Sequence, residues 1–374
     1  MKKSLSIAII GSGFSGLCMG IRLKQAGIHS FTLLERADSV GGTWRDNTYP
    51  GAACDVPSPL YSFSFEPNPR WSRLFAPQAE IRAYLEHCTD KYGQRPHIRF
   101  NTPVTSARID EQESQWLLKL GDGEELRADL VVLGTGGLSR PSYPDIPGLG
   151  DFQGRVFHSA RWEHDYDFTG KRVAVIGSGA SAIQLVPEIA PRVERLHIFQ
   201  RTPPWILPRE DRTIGRLEQK LYQALPLAQR LHRQAIYWLL ESRVLALTVN
   251  PRLTRLVQRE AIQFLEHSIP EPELRKKLTP DYMLGCKRVL LSNDYYPTLL
   301  RPNVELVTDG IRRLSRTGVL TKDGTERPVD ALVLATGFQA AEEVAPFEIK
   351  GRGGVELQEA WREGAEAYLG TTVA

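Results

Sequence analysis

The sequence predicts an α/β protein in which one strand–turn–helix unit occurs twice. Each copy opens a parallel sheet, and a helical stretch is inserted in the second half. Three observations predict this. The apolar run Leu5-Ser-Ile-Ala-Ile-Ile10 leads into Gly11-Ser12-Gly13-Phe14-Ser15-Gly16 and then into a helical pattern that stops at Gly27. The order recurs where Lys171-Arg-Val-Ala-Val-Ile176 leads into Gly177-Ser178-Gly179-Ala180-Ser181-Ala182 and a second helical pattern. Residues 208–280 then change character. They are rich in Leu, Arg, Gln and Glu, with helical spacing such as Leu217, Leu221, Tyr222 and Leu225, and are punctuated by Pro226, Pro251, Pro270 and Pro272.

Composition bounds the reading. A chain of 374 residues predicts two or three domains, and an apolar content of 41% is enough for sizeable cores. A net charge of +3, from 47 basic and 44 acidic side chains, gives no reason to expect nucleic acid as a partner. Cys18, Cys54, Cys88 and Cys286 are far apart and form no C-x-x-C. That spacing argues against a disulfide framework, a zinc site and a dithiol redox centre, and fits a reduced, cytoplasmic setting. Lys2-Lys3 before an apolar run imitates a secretory signal, but the run lasts only about five residues before Gly11, so a first strand is the better reading. No stretch approaches the ~20 apolar residues of a membrane span. The nearest, residues 237–249, contains Glu241 and Arg243. Basic residues such as Arg230, Arg233 and Arg243 suit a solvated helix face better than a membrane surface.

The first glycine cluster has the strand–turn–helix context that a G-x-G-x-x-G fingerprint needs. Gly11 permits the tight turn, Gly13 lets backbone approach a pyrophosphate, and Gly16 lets the helix pack close to the strand. The helix N-terminus then offers N–H groups and the positive end of its dipole to phosphates. A second strand at residues 30–34 ends in Glu35. A carboxylate there accepts from ribose hydroxyls and repels a 2′-phosphate, so this site suits FAD or NAD.

The second cluster has Ala182 in place of the third glycine, which the fingerprint allows. Its next strand ends in Gln200-Arg201-Thr202, with no acid where Glu35 stands in the first copy. A guanidinium and a hydroxyl suit a 2′-phosphate. This contrast predicts FAD at the first site and NADPH at the second.

The remaining elements follow from periodicity and turns. Residues 77–91 carry Ile81, Tyr84, Leu85 and Cys88 at helix spacing, and His87 there reads as a surface or packing residue. Residues 97–133 read as short strands, with turns at Asn101-Thr102-Pro103 and Gly121-Asp122-Gly123. Two buried strands end in similar motifs, Gly134-Thr135-Gly136 and Ala335-Thr336-Gly337. His164, Asp165 and Asp167 lie near His158, but their spacing matches no standard metal set.

Between the two fingerprints lies Phe152-Gln153-Gly154-Arg155-Val156-Phe157-His158-Ser159-Ala160-Arg161-Trp162, of the form F-x-G-x-x-x-H-x-x-x-W. Gly41-Gly42-Thr43-Trp44 follows Glu35, and Tyr49-Pro50-Gly51-Ala52-Ala53-Cys54-Asp55 comes soon after. Cys286-Lys287-Arg288 precedes Asn293-Asp294-Tyr295. On these residues the chain resembles the Baeyer–Villiger monooxygenases, a branch of the class B flavoprotein monooxygenases. The resemblance implies two Rossmann-like dinucleotide-binding domains, for FAD and NADP, with the helical insertion in the second. It places the FAD-binding domain at 1–140 and 329–374, the latter incomplete. The NADP-binding domain falls at 141–207 (with the linker motif 152–162) and 281–328, and the insertion at 208–280.

The same resemblance implies a reaction and its residues. One oxygen atom of O2 is inserted beside a ketone carbonyl, by way of a C4a-peroxyflavin, to give an ester or lactone. Arg288 stands over the flavin as a fixed positive charge and Asp55 orients it, although amid Pro and Gly Asp55 also suits a turn bonded to backbone. His158 ties the linker and acts in domain motion rather than proton transfer. Expected FAD contacts are Gly11, Gly13, Ser15, Gly16, Glu35, Arg36, Gly42, Thr43, Trp44, Asp46, Asp55, Tyr61 and Val104. Expected NADP contacts are Gly177, Ser178, Gly179, Ala180, Ser181, Ala182, Gln184, Arg201 and Thr202, with Lys287 on the 2′-phosphate, while Arg288 is the cofactor contact over the flavin. The expected partners are a small-molecule ketone and O2, with no metal, nucleic acid or membrane.

Oxidation at nitrogen or sulfur is the neighbouring activity, and Trp162 favours ketones over it. An uncoupled or inactive FAD-binding fragment is a further alternative, while the absent C-x-x-C disfavours a disulfide reductase. Two departures stand out. Glu163 follows Trp162 where the family has Pro or Asp, and residues 365–374 stop before the family's last strand and its G-P-N flavin contact, which reads as a shortened C-terminus. The particular ketone and the oligomeric state are not legible.

Overall fold

The structure, a computed structural model, describes residues 5–248, 254–339 and 346–373. Lys2, Lys3, Val249, Pro251 and Ala374 lie outside the described residues, as does the side chain of Arg243. The chain forms two compact units, and each is built from separate stretches of sequence. The first comprises Met1–Asp46, Ile81–Ser142 and Phe338–Ala374; the second comprises Asn47–Glu80 and Tyr143–Gly337.

The first unit is built on the strand Ile7–Ile10, buried along its whole length. It pairs in parallel with Phe31–Leu34 on one side and Leu130–Leu133 on the other, and Ile98–Arg99 extends the Phe31 edge. A parallel strand covered on both faces needs a continuous apolar run, which is what Ile-Ala-Ile-Ile supplies. The helix Phe14–Gln25 follows, with Leu17 and Ile21 fully buried. A meander of Val104–Asp110, Gln115–Leu120 and Glu125–Ala128 lies antiparallel, and Glu348–Lys350 adds to its first strand in parallel. Ala8, Ile10 and Leu34 share a core with Ala107, Leu118, Leu120 and Ile349 from this second sheet. The predicted turns hold: Asn101 takes φ 52° and Gly123 φ 90°, left-handed conformations that Asn and Gly adopt most readily.

The second unit carries a five-stranded parallel sheet in the order Val304–Val307, Arg195–Phe199, Arg172–Ile176, Ala331–Leu334 and Arg155–His158. One face buries Val173, Val175, Leu196, Ile198 and Val333 with the helix Ala180–Ile189 and the aromatic residues Phe157, Phe168 and Tyr295. The other face buries Ala174, Phe199, Leu332 and Leu334 with the hairpin strands Ile311–Leu314 and Gly318–Thr321. The helical stretch is present as Arg216–Ala224, Pro226–Thr248, Thr254–Ser268 and Pro272–Leu278. It is bracketed by a two-residue parallel pair, Ile206–Leu207 with Leu290–Leu291.

Two placements differ from the sequence reading. Sequence order places residues 47–80 in the first domain, but they group with the second unit, because Tyr49 and Ala52 enter its core. The resemblance puts the return to the first domain at the strand Ala331–Leu334, but this strand lies inside the second unit's sheet between Arg172–Ile176 and Arg155–His158. Its four residues are fully buried there, and the return to the first unit comes at Phe338.

Candidate functional site

The two fingerprint turns have the same geometry. Gly11 sits at φ 101° and Gly177 at φ 117°, a region closed to residues with a side chain. Gly13 and Gly179 cap their helices at φ −79°, ψ −166° and φ −81°, ψ −168°. A Cβ on Gly11 would meet the Gly134 carbonyl oxygen at 2.6 Å, and one on Gly177 would meet that of Ala335 at 2.3 Å. Each glycine is therefore backed by the chain leaving its own sheet, residues 134–136 in the first unit and 335–337 in the second. A Cβ on Gly16 would lie 1.9 Å from the Gly11 oxygen. Ala182, at the equivalent place, is tolerated and fully buried. Neither helix has a side-chain cap or an acidic residue in its first turn. Both N-termini thus keep amides and dipole ends unopposed for an anion. Ser15 in the first copy and Ala180 in the second lie exposed in the first helical turn, and Ser181 is half-buried.

In the first unit, Gly42 takes φ 51°, and a Cβ there would come within 3.1 Å of the Gly13 Cα. Two glycines, one on each side, thus let two backbones touch. Glu35 is buried and makes four hydrogen bonds. One carboxylate oxygen accepts from the Ser12 amide at 2.9 Å and the Ser12 hydroxyl at 2.6 Å. The other accepts from the Ala37 amide at 3.0 Å and the Arg45 guanidinium at 2.8 Å. All its acceptor positions are occupied, so a sugar hydroxyl would take the place of the Ser12 hydroxyl, which is free to rotate. Arg45 also bonds Asp46 at 2.8 Å, and Arg36 reaches Asp46 and the Ser139 carbonyl, both at 3.2 Å. Sequence reading missed Ser12 and Arg45 because neither the fingerprint nor the G-G-x-W segment specifies them. Thr43, Trp44 and Asp46 form the single turn Thr43–Asp46. Val104 packs at the edge of the two-sheet core.

In the second unit, Asp55 accepts two hydrogen bonds from Arg288, from Nε at 3.0 Å and from Nη2. The residues are 233 positions apart in sequence, so the fold brings the predicted pair together. Tyr61 lies in the same stretch, its amide bonded to the Pro57 carbonyl at 3.0 Å. Gln184, an expected cofactor contact, is hydrogen-bonded within the protein. Its amide oxygen accepts from Tyr49 Oη at 2.8 Å, and its nitrogen donates to the Ala53 carbonyl at 3.0 Å. It thereby fastens residues 49–53 to the fingerprint helix, with both ends of its side chain engaged.

Arg209, which no motif marks, stands behind Asp55. Its guanidinium donates to the Cys54 carbonyl at 3.1 Å and the Phe75 carbonyl at 3.4 Å, and lies 5.0 Å from the Phe75 ring centre. Asn293 accepts from the Arg209 amide at 2.9 Å and donates to its carbonyl at 2.7 Å. Burial lowers the Arg209 pKa, partly offset by Asp211. Burial likewise pushes the Cys54 thiol up to about 12, which leaves it neutral and unreactive.

The motif at 152–162 forms the outer strand Arg155–His158 of the second unit and the turn after it. Gly154 is required there, because a Cβ would meet the Phe152 ring and the Asp330 carbonyl oxygen, each at 2.5 Å. His158 is fully buried, and its Nδ1 accepts from the Ala160 amide at 3.0 Å. That bond fixes the neutral tautomer with the proton on Nε2. Burial lowers its pKa, with the Gly337 backbone pulling the other way. Trp162 stacks on Phe168 at 5.4 Å and meets Phe157 edge-on at 5.1 Å. Glu163, the departure from the family pattern, pairs with Arg155. His164 bonds Thr48 at 2.8 Å, and no cluster among the described residues could hold a metal ion.

At the second fingerprint, the Ser178 hydroxyl donates to the Thr202 carbonyl at 3.1 Å. Arg201 and Lys287 are exposed and make no ion pair among the described residues. The flavin-binding monooxygenase-like family matches residues 3–345. The chain belongs to that family. A Baeyer-Villiger monooxygenase of Pseudomonas aeruginosa is 52% identical over 98% of this chain and 70% of its own length. Among solved structures, this family member is similar to a steroid monooxygenase bound to NADP, with TM-score 0.88 and 35% identity over 98% of this chain and 78% of that one. It is also similar to the OTEMO protein in complex with FAD and NADP, with TM-score 0.87 and 29% identity over 99% and 78%. Among the described residues, no helix of this protein is long and apolar enough to cross a membrane.

Proposed function

We propose that this protein is an FAD-dependent, NADPH-consuming Baeyer–Villiger monooxygenase that converts a small ketone and O2 into an ester or lactone. The observation that carries the reading is the matched pair of fingerprint turns with unmatched strand ends, Glu35 after the first and Arg201-Thr202 after the second. The glycine cradles and uncapped helix ends fit a dinucleotide in each unit. The cofactors supply hydride transfer and the activation of oxygen.

The protein's own groups do the rest. At the first fingerprint, Gly11, Gly13, Ser15 and Gly16 cradle the FAD pyrophosphate. Glu35 takes the ribose, and Gly42, Thr43, Trp44 and Asp46 border the flavin, with Arg36 and Val104 as outlying contacts. At the second, residues 177–182 cradle the NADPH pyrophosphate, and Arg201, Thr202 and Lys287 take the 2′-phosphate. Arg288 presents a permanent cation to negative charge developing on oxygen, and Asp55 holds its guanidinium in one orientation. His158, neutral and hydrogen-bonded on Nδ1, keeps the 152–162 turn in shape and takes no part in proton transfer.

The test is NADPH oxidation by FAD-loaded protein with a cyclic or aryl ketone, with ester and hydrogen peroxide measured together. Ester formed mole for mole with NADPH is the expected result. Peroxide alone with every ketone, together with stoichiometric oxidation of an amine or sulfide, would move the activity to nitrogen or sulfur. Protein that binds no FAD would overturn the proposal.

A further inference from the structure

The cation-bearing end of the second fingerprint is organised by a residue that no motif marks. The strand Arg195–Phe199 runs into Gln200-Arg201-Thr202-Pro203. Tyr282, about eighty residues later in the chain, grips this segment at two points. Its hydroxyl donates to the Pro203 carbonyl at 3.1 Å, and its own carbonyl accepts from Trp205 Nε1 at 2.9 Å. Its ring meets Trp205 edge-on at 6.5 Å, and it packs against the cluster of Trp205, Leu207 and Leu284. With its position set in this way, the ring holds the Lys287 ammonium 4.7 Å from its centre.

A lysine without a carboxylate partner ordinarily samples many rotamers, and ordering it opposes binding. An aromatic face removes part of that cost in advance. The other side of the strand end is fixed as well, because buried Gln200 donates to the Lys277 carbonyl at 2.9 Å. Arg201 follows the clamped strand end and Lys287 rests on the Tyr282 ring, and neither is spent on a carboxylate among the described residues.

We propose that Tyr282 is a positioning residue for nucleotide selection. Its ring pre-orders Lys287 and its hydroxyl ties that lysine to the Arg201-Thr202 segment, so that both cations meet the 2′-phosphate that distinguishes NADPH from NADH. This rests on the reading that the second fingerprint takes NADPH.

The experiment is calorimetric titration of the full chain with 2′,5′-ADP and with 5′-AMP, for the wild type and for Arg201→Ala, Lys287→Met, Tyr282→Phe and Tyr282→Leu. Tyr282→Leu is expected to lose about three- to fivefold in affinity for 2′,5′-ADP and to keep its affinity for 5′-AMP. Tyr282→Phe keeps the ring, loses the tie to Pro203 and falls between. Tyr282→Leu added to Lys287→Met changes nothing further. If Arg201→Ala and Lys287→Met lose the preference while both Tyr282 variants keep it, the role of Tyr282 is overturned and the NADPH reading stands. Equal losses toward both nucleotides would make Tyr282 a packing residue only. A wild type that binds both nucleotides equally would overturn the NADPH reading itself.

Discussion

Arg288 has a side chain 66% exposed, against 27% for Asp55, so their ion pair contributes at most about 1 kcal/mol to stability. Its value is orientation: one carboxylate oxygen meets two donors of the same guanidinium. Arg209 acts one step back, holding the Cys54 carbonyl so that the next residue faces Arg288. Asp55→Ala is therefore expected to shift unfolding by less than about 1 kcal/mol yet cut ester yield per NADPH at least ~10-fold. Arg209→Met leaves two carbonyls without their donor and is expected to cost about 1–3 kcal/mol of stability as well as coupling. In the double variant the coupling losses do not add, because both act on one guanidinium. Additive losses in ester yield would separate Arg209 from this chain of contacts.

At the scale of the elements, the two fingerprints test what each glycine is for. Gly16 faces the Gly11 oxygen so closely that no Cβ fits. Gly16→Ala is expected to displace the turn, to lose FAD on gel filtration and to destabilise the first unit by more than the ~1–3 kcal/mol of ordinary overpacking. Ala182→Gly at the matching position removes a fully buried methyl group from a helix and is expected to cost about 1–2 kcal/mol while the nucleotide stays bound. Equal effects of the two changes on nucleotide retention would mean that the close contact of Gly16 with Gly11 is not what holds the first turn in shape. These elements were legible in sequence because local chemistry determines them: glycines at set spacing, an apolar run before, a helical period after. Asp55–Arg288 was legible only through family resemblance. Arg45 was not legible, because no motif specifies the residue that pairs with Glu35, and Arg209 and Tyr282 were not, because each acts through backbone carbonyls or a ring face reached across long sequence separations. The Gln184 clamp was not legible for the same reason, since only the fold puts the Ala53 backbone beside it.

At the scale of the whole molecule, the chain passes between the two units four times, after Asp46, Glu80, Ser142 and Gly337. Sequence order suggested that residues 47–80 belong with the first fingerprint, since they follow it directly. Their burial argues otherwise: Tyr49 and Ala52 sit in the second unit's core, and a Cβ on Gly51 would meet the Gln184 carbonyl oxygen at 2.6 Å. Such contacts are expected to make 47–80 part of the second unit's cooperative folding, although the covalent chain joins it to the first unit at both ends. Native-state hydrogen exchange across mild denaturant concentrations measures this, because segments that open together share one free energy and one denaturant slope. Amides of residues 52–78 are expected to exchange in step with the strand Arg172–Ile176, and to gain protection when 2′,5′-ADP is added. At a nucleotide concentration 100 times its dissociation constant that gain is about 2.7 kcal/mol. Exchange in step with the strand Ile7–Ile10, and no response to 2′,5′-ADP, would mean that the segment folds with its neighbours in sequence. The Gln184 clamp would then be too weak to carry it into the second unit.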